Sequence, residues 1–178
     1  MPKPYFNNSD RIKEIIRVDH AGEYGAMRIY QGQIAASNNQ KELEVLQDML
    51  EHEKEHLEYF VNKIEQGESR PTLMMPIWDN LGFALGYISK SISYSTAMLT
   101  TEAIEEVIVK HYEEQIDYLE QDNVPKDLCN KIKKFRDDEA EHINIALQNN
   151  SRRPIFNSVI KNTVKFFCKT AIFISKKI

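Results

Sequence analysis

One short pattern constrains this chain more than any other, and it occurs twice: Glu53-Lys-Glu-His56 and Glu139-Ala-Glu-His142. Both copies lie in runs whose apolar residues recur at three- and four-residue steps, the mark of a helix with one buried side. Residues three apart on a helix share a face and are roughly 4.5 Å apart along its axis. A carboxylate and an imidazole so placed can reach one metal ion together. A single Glu-x-x-His is a plausible accident in a chain rich in Glu. Two, in phase with the apolar stripes of their helices, require a reason for turning charged groups inward.

The rest of the chain reads as helices around these two. A first helix spans 10–36, with Ile12, Ile15, Ile16, Glu23, Met27, Tyr30 and Ile34 on its stripe and Ser9 or Asp10 as its cap. A second, about 40–66, carries Leu46, Met49, Leu50, Glu53, His56 and Phe60, and Gly67 ends it. A third, about 92–121, carries Met98, Glu102, Glu105, Ile108 and Tyr112. Asn123-Val124-Pro125 breaks the chain, with Pro125 in the first turn of a fourth helix, 125–149, that carries Phe135, Glu139 and His142. Pro154 precedes a final helix, 155–176.

Each half, 10–66 and 92–149, is then a helical hairpin with one inward Glu followed by Glu-x-x-His. Two such hairpins face to face give an all-α, ferritin-like four-helix bundle with Glu23, Glu53, His56, Glu105, Glu139 and His142 at its centre. Four carboxylates and two imidazoles form the oxygen-rich donor set that iron or manganese accepts. Two divalent cations would make the burial of these charges tolerable, since an unpaired buried ion costs several kcal/mol. In the third helix Glu102 shares the face of Glu105 one turn away, so spacing leaves both open. Glu106 lies about 100° around the helix.

Other residues are placed by their neighbours. Asp138 precedes Glu139 and could hold His56 of the opposite hairpin by its second ring nitrogen. The matching position in the first half is His52, which leaves Asp138 without an acidic counterpart. His111 and Tyr112 follow Glu105 by about two turns and are candidates for lining the cavity. Gly22 and Gly25 bracket Glu23. Glycine inside a helix costs about 1 kcal/mol relative to alanine. Either a flat substrate passes there, or another helix packs very closely.

The crossover, 67–91, is long for a link in a bundle and too apolar for a solvated one. A spanning helix over 80–101 is disfavoured by Lys90 near its middle and by its Ser, Thr and Tyr content, so a half-buried or interfacial segment is expected. The 178 residues suit a single domain. Cys129 and Cys168 have no metal-type spacing and imply no disulfide framework, as in a reduced compartment. Met1-Pro2-Lys3-Pro4 lacks the apolar core of a signal peptide.

The net charge is −4, yet residues 151–178 hold seven Lys and Arg and no acid. In the additional C-terminal amphipathic helix, Lys161, Lys165 and Lys169 recur at four-residue steps, while Ile160, Val164, Phe167, Ile172 and Phe173 are free to face the bundle. A membrane surface with anionic lipid is therefore the expected partner, and nucleic acid is not.

The whole length also resembles the demethoxyubiquinone hydroxylases of ubiquinone biosynthesis. The resemblance is carried by Arg17-Val-Asp-His-Ala-Gly-Glu-Tyr-Gly-Ala26, by Arg28-Ile-Tyr30 and by Glu53-Lys-Glu-His56-Leu57. It continues through Arg70-Pro-Thr, Met75-Pro-Ile-Trp78, Leu81-Gly-Phe-Ala-Leu-Gly86, Glu105-Glu106 with His111-Tyr112, and Lys133-Lys-Phe-Arg-Asp-Asp-Glu139. Carried over position by position, it implies two iron ions on Glu23, Glu53, His56, Glu105, Glu139 and His142. It implies hydroxylation of a polyprenyl methoxy-methyl-benzoquinol by dioxygen, one oxygen entering the ring and the other leaving as water. A bacterial member, peripheral on the cytoplasmic face of the cell membrane, is the expected setting. A lipid-binding accessory protein and a homo-oligomer belong to the same expectation. Against it stand a ferritin-like iron oxidase or store, a manganese peroxide-reducing enzyme, and a non-catalytic quinone-binding protein with structural metals.

Overall fold

The computed structural model describes residues 8–121, 126–150 and 157–178. Among them are six α-helices and no strand: α1 (Asn8–Ala35), α2 (Gln40–Glu65), α3 (Met75–Ile92), α4 (Tyr94–Gln121), α5 (Lys126–Asn149) and α6 (Asn157–Lys177). The segments Met1-Pro2-Lys3-Pro4 and Asn123-Val124-Pro125, and Pro154, lie outside the described residues.

Local chemistry sets the breaks. The Asn39 side chain accepts from the Lys41 and Glu42 amides at 3.0 and 3.4 Å and starts α2. Gly67, with φ of 78°, turns the chain out of α2 in a left-handed conformation that glycine adopts without strain. Ser93 is extended and separates α3 from α4, and its Oγ accepts from the Thr96 amide at 3.0 Å. α1 already begins at Asn8, so Ser9 and Asp10 lie in its first turn rather than ahead of it.

The hairpins α1–α2 and α4–α5 face each other as a four-helix bundle. Two apolar clusters fill it, one around Ile15, Ile16, Phe60, Tyr112, Ile132 and Phe135, the other around Tyr30, Leu46, Met49 and Met98. Glu23, Glu53, His56, Glu105, Glu139 and His142 lie in the layer between them.

Most of the crossover folds as α3, which lies parallel along α1. Its register on α1 runs from Tyr24–Asp79 through Gly25–Gly82 and Ile29–Gly86, and Lys90 then reaches Glu42 at the start of α2. Small residues make this approach possible. A Cβ added at Gly86 would lie 1.9 Å from the Ile29 carbonyl oxygen, and one at Gly32 would lie 2.2 Å from that of Phe83. Arg28 fixes the register by pairing with Asp79 at 2.8 Å and covering the Phe83 ring.

α6 lies along α4 in the same way that α3 lies along α1. Each half therefore contributes three helices. Ile88-Ser89-Lys90 in α3 and Ile174-Ser175-Lys176 in α6 are separated by the same offset as the two Glu-x-x-His motifs, and both serines are buried. Trp78 Nε1 donates to Ser175 Oγ at 3.2 Å, and Arg17 donates to the Ser175 and Lys176 carbonyls at the end of α6.

The facing of α6 differs from the sequence expectation. Lys161 pairs with Glu102 and Glu106 of α4 at 2.6 Å, and Lys165 also pairs with Glu106. Phe167 and Phe173, expected inward, are each 63 % exposed. Glu102 is the physical reason: it is buried against α6, and leaving its charge without a cation would cost more than burying another Phe returns. Val164, Cys168, Ile172 and Ser175 form the inward stripe instead.

Candidate metal centre

The fold brings the six expected side chains into one layer, in two overlapping groups. Glu23, Glu53, His56 and Glu139 each offer an atom within 4.8 Å of the others, and so do Glu53, Glu105, Glu139 and His142. Glu53 and Glu139 belong to both groups. All six residues are buried. Such groups of carboxylates and imidazoles can hold a metal ion.

Both imidazoles present Nδ1 to the layer. His56 Nδ1 lies 3.0 Å from Glu139 and 3.5 Å from Glu23, and His142 Nδ1 lies 2.8 Å from Glu139 and 3.2 Å from Glu53. The fit to cations shows in what these atoms fail to do with one another. Both Glu53 oxygens, one oxygen each of Glu105 and Glu139, and His142 Nδ1 are buried without a hydrogen-bond partner. They are close yet not aligned as donor and acceptor. Neighbouring donor atoms on an octahedral divalent ion, at about 2.1 Å from it, are about 3 Å apart. The donor spacings match that geometry.

Electrostatics point the same way. Burial pushes the Glu53 and Glu105 carboxyls well above the usual range, and the neighbouring carboxylates push further. Burial also acts on Glu139, but the two imidazoles beside it, His142 and His56, outweigh burial and lower its pKa. His56 is likewise opposed by burial, yet Glu139 and Glu23 raise it to about 12. Without cations, the cluster balances its negative charge by retaining protons, which bound metal would displace.

Glu105, not Glu102, faces this layer; Glu102 and Glu106 serve Lys161 on α6. Asp138 accepts from His56 Nε2 at 3.0 Å, across the hairpins. Tyr112 donates to Glu23. His111 does not reach the layer. It lies 2.9 Å from the Gln115 amide, which also donates to Asp19 at 2.7 Å. A methyl group at Gly25 would meet nothing within 4 Å, and one at Gly22 only Ile108 at 4.0 Å. α3 does pack closely on the Gly25 carbonyl through Gly82, but the missing side chains that this packing requires are those of Gly32, Gly82 and Gly86, not those of Gly22 and Gly25.

Two residues that hold ligand side chains of the layer escaped the sequence reading. Tyr30, placed there on the apolar stripe, donates to Glu105 at 2.9 Å. It is the mate of Tyr112: each follows the single Glu of its own hairpin by the same spacing and bonds the single Glu of the other. His52 Nδ1 lies 3.1 Å from His142 Nε2, with ring planes 9° apart. It thus takes the place that Asp138 takes on His56. The internal repeat held the signal for both, once read beyond the ligand positions.

Residues 10–175 match the family described as ubiquinone biosynthesis protein COQ7. A Dictyostelium discoideum protein named NADPH-dependent 3-demethoxyubiquinone 3-hydroxylase, mitochondrial, is 42 % identical over 94 % of this chain and 77 % of its own length. The Homo sapiens protein of that name is 41 % identical over 94 % of this chain and 78 % of its own. A Rhodospirillum rubrum protein named 3-demethoxyubiquinol 3-hydroxylase is 39 % identical over the same shares.

Proposed function

Because this chain belongs to the COQ7 family of ubiquinone biosynthesis proteins, we propose that Glu23, Glu53, His56, Glu105, Glu139 and His142 hold two iron ions. The chain is a hydroxylase of ubiquinone biosynthesis that acts on 3-demethoxyubiquinol. The observation that carries the two-ion reading is the pair of buried groups sharing Glu53 and Glu139. Iron held there would supply the reduction of dioxygen, which no side chain of this protein can perform.

The residues themselves position and exclude. Glu53 and Glu139 lie where each can serve both ions. Tyr112 and Tyr30 tie the two terminal carboxylates, Glu23 and Glu105. Asp138 and His52 take the outer nitrogens of His56 and His142, so both rings keep Nδ1 turned inward. The apolar clusters on either side keep the layer dry. Gly22 and Gly25 leave α1 without side chains beside Glu23, and the quinol ring enters there. Overall, a ring C–H and dioxygen become a ring C–OH and water, which needs two further electrons. A reduced nicotinamide is the proposed source, after the names of the relatives.

A polyprenyl quinol resides in a bilayer, so the enzyme works at its surface. No helix among the described residues is long and apolar enough to cross a membrane. Leu73, Ile77, Leu81, Ile88 and Ile92 of the α3 region, and Val159, Phe166, Phe167 and Phe173 of α6, are all exposed. This apolar face docks the protein peripherally, on the cytoplasmic face of a bacterial membrane. A lipid-binding accessory protein or a second copy of the chain would attach beside it.

The test is expression in a bacterium that lacks its own hydroxylase. The intact chain is expected to restore ubiquinone and to purify with two iron ions, whereas Glu139→Ala leaves demethoxyubiquinol to accumulate. Rescue by Glu139→Ala would overturn the site.

A further inference from the structure

We propose that His52 and Asp138 make the two metal positions unequal, so that the ion beside Glu23 and His56 is held more tightly than the ion beside Glu105 and His142. This inference rests on the two-ion reading above. Around the layer the halves repeat residue for residue: Glu23 with Glu105, Glu53 with Glu139, His56 with His142, and Tyr112 with Tyr30. The symmetry breaks where the outer ring nitrogens are held. Asp138 accepts from His56 Nε2 at 3.0 Å, and His52 Nδ1 stands 3.1 Å from His142 Nε2.

The two partners hold the rings in similar geometry but differ in charge. A carboxylate on the outer N–H raises the basicity of a ligand imidazole. A neutral imidazole accepts the same hydrogen bond and adds no charge. The outer nitrogen of His56 therefore has a carboxylate directly against it, and that of His142 has none. Lys134 Nζ lies 3.4 Å from Asp138 and offsets part of its charge, but that side chain is 54 % exposed and screened by solvent. His52 is a positioning residue: it touches the ligand His142 and not the layer where the reacting atoms gather.

Cobalt(II) titration of the metal-free protein tests this without turnover, read by calorimetry and by the visible absorption of the bound ion. The intact chain is expected to bind two ions in separate steps, with dissociation constants about 10–100-fold apart. His52→Asp places a carboxylate where Asp138 already shows that one fits, and brings the steps together by tightening the second. Asp138→His brings them together by weakening the first. His52→Gln keeps an acceptor for His142 and stays like the parent. Thermal unfolding of each metal-free variant confirms that it is folded before titration. Two equal sites in the parent would overturn the inequality. So would an unchanged separation in both folded exchange variants. Fewer than two ions per chain would overturn the two-ion reading itself, and is recognised by stoichiometry rather than by the ratio of steps.

Discussion

His111 is 8 % exposed and takes its hydrogen bond from Gln115. Burial, with Lys176 and Arg11 adding to it, lowers its pKa from 6.5 to about 3, so the folded protein keeps the ring neutral. The unfolded chain protonates it near 6.5. Between those values the unfolded state binds more protons, so the contribution is complete above pH 6.5 and is lost as pH falls towards 3. At pH 5 the loss is about 2 kcal/mol. Asp19 on α1 acts in the opposite sense: burial raises its carboxyl, so what it contributes is present at low pH and lost as pH rises. His111→Gln removes one titration and leaves the rest. The drop in urea stability from pH 7 to pH 5 is expected to shrink by about 2 kcal/mol in this variant; an unchanged drop would clear His111 of the role.

Between elements, the contact of α1 with α3 is decided by the absence of side chains. At Gly86 even a methyl group would run into the Ile29 backbone, which cannot swing aside as a long side chain can. Gly86→Ala is expected to lower stability by about 1–3 kcal/mol, the usual range for overpacking, because α3 must lift off α1. Gly25 is helical with open space beside it, so Gly25→Ala is expected to raise stability by roughly 0.5–1 kcal/mol. Thermal unfolding of the two variants gives opposite signs if the packing is as described. Gly25→Leu separates space from packing: it is expected to keep its metal and lose turnover. Full turnover with full metal would remove Gly25 from the substrate path.

For the molecule as a whole, α3 and α6 both leave apolar side chains facing out, and they are joined by Trp78 and Ser175. Of the basic stripe expected to meet lipid, Lys161 and Lys165 are occupied by Glu102 and Glu106. Attachment to vesicles is therefore expected to be mainly hydrophobic. Phe166 is 66 % exposed, and burying such a side chain is worth about 1.5–3 kcal/mol. Phe166→Ser is expected to weaken binding about tenfold or more, on neutral and anionic vesicles alike. Binding that needs anionic lipid and disappears in high salt would return the leading role to the lysines.

What the sequence determined by itself was local. Three- and four-residue periodicity placed the bundle helices and put Glu53 with His56, and Glu139 with His142, on shared inner faces. The repeat added Glu23 and left Glu105 to be separated from Glu102. Those relations hold within one helix or one hairpin, where spacing alone fixes geometry. Only the tertiary structure decided what depends on a partner far along the chain. Glu102 of α4 turned Lys161 inward and Phe167 outward. Gly86 let α3 lie against the α1 backbone. Tyr30 and His52 left their own hairpin to meet Glu105 and His142 of the other, because the charges that needed them are buried where the two halves face each other.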